Sequence, residues 1–155
     1  MSIPGNSKLS ERLAVLAKIT PIAITTAASQ AISATFASVA TTTGNGYNRL
    51  LAVFQIGANT LTGTVTYKVL AGTASSGGGT LYTIASGTST NSAKEFLIDL
   101  NQAVTGTTYA TAPYIGLELT ATSATVGAGV LLGGDAKYEP ASTDNITSST
   151  VGTGV

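Results

Sequence analysis

The sequence predicts an all-β chain: about eight antiparallel strands forming a β-sandwich of jelly-roll or Ig-like type, with a short N-terminal helical arm and an extended C-terminal arm. Three observations carry this. From Ile22 onward apolar residues recur with a period of two. The residues in these runs are β-branched and aromatic, and Gly, Asn and Ser interrupt them roughly every eight to twelve positions, the spacing of sandwich or barrel strands. Finally, 43% of the 155 residues are hydrophobic and only 9% are charged. That composition is the reverse of a disordered chain, which is poor in apolar residues and rich in charge.

Taken in order, residues 7–19 are the one helical candidate. Leu9, Leu13 and Leu16 recur at i, i+4 and i+7, Ser7 or Ser10 can cap the start, and Pro21 lies just beyond the end. Strands are expected at 22–28, 32–40, 49–58, 63–71, 80–86, 94–101, 113–122 and 125–138. The third, Arg49-Leu50-Leu51-Ala52-Val53-Phe54-Gln55-Ile56, is apolar on nearly both faces. It should run centrally, one face under the other sheet and the other covered or at an interface. In the fourth, Val65, Tyr67 and Val69 alternate with Thr64, Thr66 and Lys68, as for one buried and one wet face. The sixth sets Phe96, Ile98 and Leu100 against Glu95 and Asp99; the seventh turns Ile115, Leu117 and Leu119 inward and Glu118 and Thr120 outward. The last strand has glycines at 127, 129, 133 and 134, which mark a bulge or the close approach of another backbone. The chain therefore divides into an arm at 1–20, a β-sandwich domain at 21–140 and a C-terminal arm at 141–155, which has no core pattern.

Composition also bounds function. Thr, Ser, Ala and Gly supply more than half the chain, the net charge is zero, and charged residues stand at 9% against roughly 25% in ordinary domains. A surface so short of charge favours association, which implies that much of it faces another protein. Nucleic-acid binding is not expected, because displacing counterions from phosphates needs clustered Lys and Arg, and there are only seven basic residues. Three of these, Lys8, Arg12 and Lys18, fall in the N-terminal arm with Glu11 as the only acid there. No apolar run approaches the ~18 residues of a membrane span, so no membrane is expected. Leu13-Ala14-Val15-Leu16-Ala17, flanked by Arg12 and Lys18, is too short for a secretory signal.

The chain contains no His and no Cys, so the commonest general base, the thiol nucleophile and the soft metal ligands are all missing. Glu95, Asp99, Glu118, Asp135 and Glu139 are the acids of the strand region; they share no motif and read as ordinary strand or loop positions. The chain is expected not to be an enzyme and to hold no cofactor. Ser75-Ser76-Gly77-Gly78-Gly79 lacks the Lys-Ser/Thr of a phosphate loop, and Gly127-Ala128-Gly129 lacks the third Gly of a dinucleotide fingerprint; both read as flexible β connections. A calcium site using Asp99 and Asn101, or Asp135, matches no loop motif. Asn145-Ile146-Thr147 is a glycosylation sequon that reads as chance. Tyr47, Tyr67, Tyr82, Tyr109, Tyr114 and Tyr138 could make a sugar-stacking platform, but core or rim packing is the plainer reading. The Leu9, Leu13, Leu16 stripe either packs back on its own sandwich or docks on a partner.

Gly46-Tyr47-Asn48 leading into Leu50-Leu51-Ala52-Val53-Phe54-Gln55-Ile56-Gly57, then Gly63-Thr64-Val65-Thr66-Tyr67-Lys68-Val69, resembles small tailed-bacteriophage capsid decoration, or cement, proteins. Tyr114-Ile115-Gly116-Leu117-Glu118-Leu119-Thr120-Ala121-Thr122 is similar to their Tyr-Φ-x-Φ-x-Φ-Thr-Ala-Thr strand, where Φ is apolar. The likeness covers about residues 22–138. Those relatives often carry Asp-Gly and then Trp after the fourth strand, where this chain runs from Ser75 through Gly79 into Leu81-Tyr82.

The resemblance implies a virion protein on the outer capsid surface that grips the major capsid protein as a homo-oligomer, a trimer being favoured. On that expectation Lys8, Leu9, Arg12, Leu13, Leu16 and Lys18 bind the partner, and apolar surface is buried across joints between capsomers. The glycine-rich last strand is then expected to serve strand-edge pairing or packing between subunits. The other reading is a glycan- or receptor-binding β-sandwich module of a fibre or surface protein, whose sign would be a concave face with several exposed tyrosines.

Overall fold

A computed structural model of the chain describes residues 13–24, 30–32, 36–38, 47–57, 63–90, 94–101 and 112–136. Every regular element among them is a strand: β1 (Leu13–Ile24), β2 (Gln30–Ile32), β3 (Ala37–Ser38), β4 (Tyr47–Ile56), β5 (Thr64–Gly72), β6 (Leu81–Thr90), β7 (Lys94–Asn101), β8 (Tyr114–Ala121) and β9 (Thr125–Ala136). They form two antiparallel sheets. Sheet A runs β1-β9-β4-β7; sheet B runs β2-β8-β5-β6, with β3 also paired to β8. The six strands expected from residue 49 onward are present with ends moved by a few residues. The last also follows its expected course, to Ala136.

Of the side chains expected to point inward, Val65, Tyr67, Val69, Ile98, Ile115, Leu117 and Leu119 do so. Leu50, Ala52, Phe54 and Ile56 of sheet A meet Val65, Val69, Ile115, Leu117 and Leu119 of sheet B in one buried cluster. The Phe54 and Tyr67 rings close the gap between the sheets, with centroids 5.4 Å apart and planes tilted by 44°. Residues 87–90 of β6, paired with Thr64–Tyr67 of β5, extend its strand beyond the expected end at 86.

The N-terminal helix is corrected. Leu13–Ile24 is a strand along the edge of sheet A, and the boundary placed after residue 20 falls inside it. Two bulges interrupt the alternation of this strand. Val15 opposes Leu132 and Ala17 opposes Leu131, so Leu16 is an extra residue, and both Leu16 and Ala17 are buried side by side. A bulge that turns two successive side chains inward breaks the period of two, and Leu13, opposite Gly134, falls on the other face from Leu16, so their i, i+3 spacing marks no shared face. The second register shift lies between Ile19 and Ile22. It holds Pro21, whose missing N–H is tolerated at a bulge on an edge strand. Residues 7–12 of the expected helix, and the C-terminal arm at 141–155, lie outside the described residues.

β9 sits between β1 and β4, paired on both sides, so the expectation that it serves strand-edge pairing is corrected. Its glycines answer a need for volume. At 127, 129 and 133 they point into the core, where large neighbours occupy the missing side-chain space: Leu119 and Ile24 over Gly127, Phe54 and Leu117 over Gly129, Leu16 and Tyr47 over Gly133. Large side chains set over glycines let the facing layers interdigitate at close-packed density. Gly127-Ala128-Gly129 is thus strand interior and not a connection.

The Thr73–Thr80 turn joining β5 to β6 is held by its own hydrogen bonds. Thr73 N–H donates to the Thr80 carbonyl at 3.2 Å and Thr80 N–H to Thr73 Oγ1 at 3.1 Å. Gly77 and Gly79 have φ of 70° and 82°, a left-handed conformation that favours glycine.

Candidate partner-binding surface

Residues paired across a sheet share a face, so the registers reveal what each sheet turns outward. On sheet B the outward residues of β5 and β8 include Leu70 opposite Gly116 and Lys68 opposite Glu118. Part of this face is covered by the chain itself. Phe36 is buried, its ring lies over Gly116 and Gly72, and its N–H donates to the Ser75 carbonyl at 2.8 Å. Beside it, Lys68 Nζ donates to Glu118 Oε1 at 2.5 Å. Glu118, expected to be outward, is outward but only 4% exposed. A carboxylate so enclosed requires a charged partner, and Lys68 directly across the strand pair supplies it.

Sheet A presents a different outward face. One row across β1, β9, β4 and β7 reads Lys18, Val130, Val53, Leu97; the next reads Val15, Leu132, Leu51, Asp99. Six apolar side chains thus lie together, with one charge at the end of each row. Leu97 is 67% exposed; Val15, Leu51, Val53, Val130 and Leu132 are half-buried. Exposed Arg49 and Gln55 bound the β4 stretch of the patch above and below. An antiparallel sheet with one wet face ordinarily alternates apolar-in and polar-out, and β4 and β9 depart from that pattern over two successive outward positions. Contiguous apolar surface of this kind marks interaction sites.

Of the residues expected to bind a partner, Lys8, Leu9 and Arg12 lie outside the described residues. Leu16 is corrected: it is 0% exposed in the core and packs on its own domain, because the bulge turns it inward. Leu13 is half-buried and Lys18 exposed, and both border the apolar rows, Leu13 opposite Gly134 and Lys18 opposite Val130. The outward positions of β4 were legible in the sequence as a strand apolar on both faces. Val130, Leu132 and Leu97 were not singled out. The signal for the first two was present in Ala128, Val130 and Leu132, but the glycines between and beside them drew the eye to the backbone.

The tyrosines do not assemble into a platform among the described residues. Tyr47 is buried, Tyr67 packs on Phe54 in the core, Tyr82 is 41% exposed at the start of β6, and Tyr114 is half-buried on the outward face of sheet B. Tyr109 and Tyr138 lie outside the described residues. Asp99 is exposed on sheet A, and no group of three or more His, Cys, Asp or Glu able to hold a metal ion occurs among the described residues.

No protein-family model and no curated protein matches the chain. The fold is similar to a solved chain from Bacillus endospore appendages, described as a novel family of disulfide-linked pili. The identity is 16%, the match covers 85% of this chain and 92% of that one, and the TM-score is 0.39. A likeness of that size carries no argument about function.

Proposed function

We propose that the chain is a structural virion protein, a two-sheet sandwich that decorates and cements a phage capsid by binding the major capsid protein on its outer surface as a homo-oligomer. The reading rests on the resemblance of the 46–57, 63–69 and 114–122 stretches to decoration proteins, and the observation that carries it is the apolar outward face of sheet A. Burying apolar surface is worth about 25 cal/mol per Å², and a modest contact repeated at many sites on a shell resists expansion. Phe36 and the Lys68–Glu118 pair occupy the β5–β8 part of the opposite face, which supports sheet A as the docking side. Lys18, Arg49 and Asp99 at the margin set orientation more than affinity. No catalytic or cofactor role enters this reading.

Co-sedimentation with shells of the major capsid protein tests it. Leu97→Lys and Val53→Lys replace apolar outward positions without touching the core and are expected to reduce shell binding at least tenfold, with the thermal melt kept. Binding unchanged in both variants would remove sheet A from the interface. Failure of the unaltered protein to bind any shell, together with a positive glycan array, would instead favour the receptor-binding module.

A further inference from the structure

The rim of a β-sheet is a row of backbone donors and acceptors, and folded proteins blunt it with charge, proline, bulges or shortness. Among the described residues, three of the four rims are blunted. β1 carries two register shifts, Pro21 and Lys18; β7 carries Lys94, Glu95 and Asp99; β2 and β3 are three and two residues long. β6, the outer strand of sheet B, has ten residues, no charge and no proline. Its single irregularity sits at Ile84, between the Val69–Ala85 and Leu70–Thr83 pairs. Beyond it, Ala85–Thr90 pairs with Thr64–Val69 without interruption, so this stretch is held straight by β5 along one side.

We propose that β6 is a self-association strand: the Ala85–Thr90 stretches of two copies of this chain pair antiparallel about a twofold axis and join two B sheets into one. The chemistry of the strand favours a second copy as the occupant. Antiparallel pairing about a twofold sets residues of the same face opposite one another. The outward residues include Ser86 and Thr88, on the face shared with Thr66 and Lys68. With the axis at Gly87, Ser86 meets the partner's Thr88; with the axis at Thr88, Thr88 meets the partner's Thr88. Either way, hydroxyl faces hydroxyl on the outward side, where Ser and Thr pairs hydrogen-bond across strands.

No like charges meet, since the strand has none, and a net charge of zero removes long-range repulsion between copies. On the inward side Gly87 carries no side chain, and Tyr67 lies over it from β5, so the sheet surface near the axis is already packed by the chain's own ring. The pairing is isologous and joins copies in twos. It requires no capsid and stands apart from the docking role given to sheet A.

Sedimentation velocity of the full chain at micromolar to millimolar concentration tests this. The expected result is a reversible species of twice the 15.4 kDa chain mass, whose dissociation constant rises at least tenfold in Ser86→Lys/Thr88→Lys while the circular dichroism melt is kept. The Leu97→Lys variant should associate like the unaltered chain. Because the chain has no cysteine, Ser86→Cys/Thr88→Cys gives a second readout: mild oxidation should yield a covalent dimer, which Leu97→Cys should not. A wholly monomeric unaltered chain, association indifferent to the lysines, association abolished by Leu97→Lys, or cross-linking no greater than in Leu97→Cys would each overturn the proposal.

Discussion

Adjacent glycines near the end of β9 offer a sharp test of how the core is packed, because Gly133 points inward and Gly134 outward. A Cβ added at 133 would lie 2.6 Å from Leu16 Cδ1 and 2.7 Å from both Cγ and Cδ1 of Tyr47, all in fully buried side chains. Carbon atoms prefer about 3.5–4.0 Å, so the overlap approaches 1 Å on two sides, and the Tyr47 Cγ is fixed to its own strand. Overpacking of this kind costs about 1–3 kcal/mol, and the upper half of that range fits a site closed on both sides.

At 134 the same atom would lie 3.3 Å from Leu13 Cδ2, the far end of a half-buried side chain that can turn aside. Both changes stiffen the unfolded chain and gain roughly 0.4–1 kcal/mol from that source. Gly133→Ala should therefore lose about 1–2 kcal/mol and Gly134→Ala should be neutral or slightly stabilising. The gap between them is about 2 kcal/mol, or roughly 4–8 °C in Tm for a chain of this size. Urea unfolding at one fixed protein concentration measures it, with equal m-values showing that the unfolded states are alike. Equal midpoints for the two variants, or the reverse order, would refute the interdigitated packing.

Two other expectations follow from particular contacts. Lys68→Met leaves the Glu118 carboxylate enclosed without its cross-strand ammonium and should cost about 1–2 kcal/mol in chemical denaturation, the part-exposure of Lys68 lowering the figure; Lys68→Met/Glu118→Leu should recover most of the loss, and no recovery would mean the pair is not the cause. Removing residues 1–12 leaves β1 whole and should keep a cooperative melt. Removing 1–20 takes Ala14, Leu16, Ala17 and Ile19 out of the core, at about 1.5–3 kcal/mol for each larger side chain against a total stability of about 5–15 kcal/mol, and should abolish the melt; a cooperative transition in the 21–155 fragment would contradict the place given to β1.

How far the fold could be read from the chain depended on how local its cause was. Strands β5 and β8 announce themselves through Val, Ile, Leu and aromatic residues at alternate positions, and their inward sets were correct because a strand can bury only one parity against one core. β1 could not be read this way. Its two bulges are fixed by pairing with β9, more than a hundred residues away in sequence, and they interrupt the alternation that would have marked a strand. The glycines of β9 were visible, but what fills the space above them was not, since Leu16, Tyr47, Phe54 and Leu119 come from four other strands.

The same division holds for the candidate surface. The apolar residues on both parities of β4 showed that a second face needed covering, yet only the register brings Val15, Leu132, Leu51, Val130, Val53 and Leu97 into two adjoining rows. By itself the sequence determined an all-β chain with a weakly charged surface and without histidine or cysteine chemistry, because composition and alternation are properties of neighbouring residues. Tertiary structure alone decided that the first strand closes sheet A, that the glycine-rich strand is central, and which sheet covers its own back, because each depends on contacts between residues far apart in the chain.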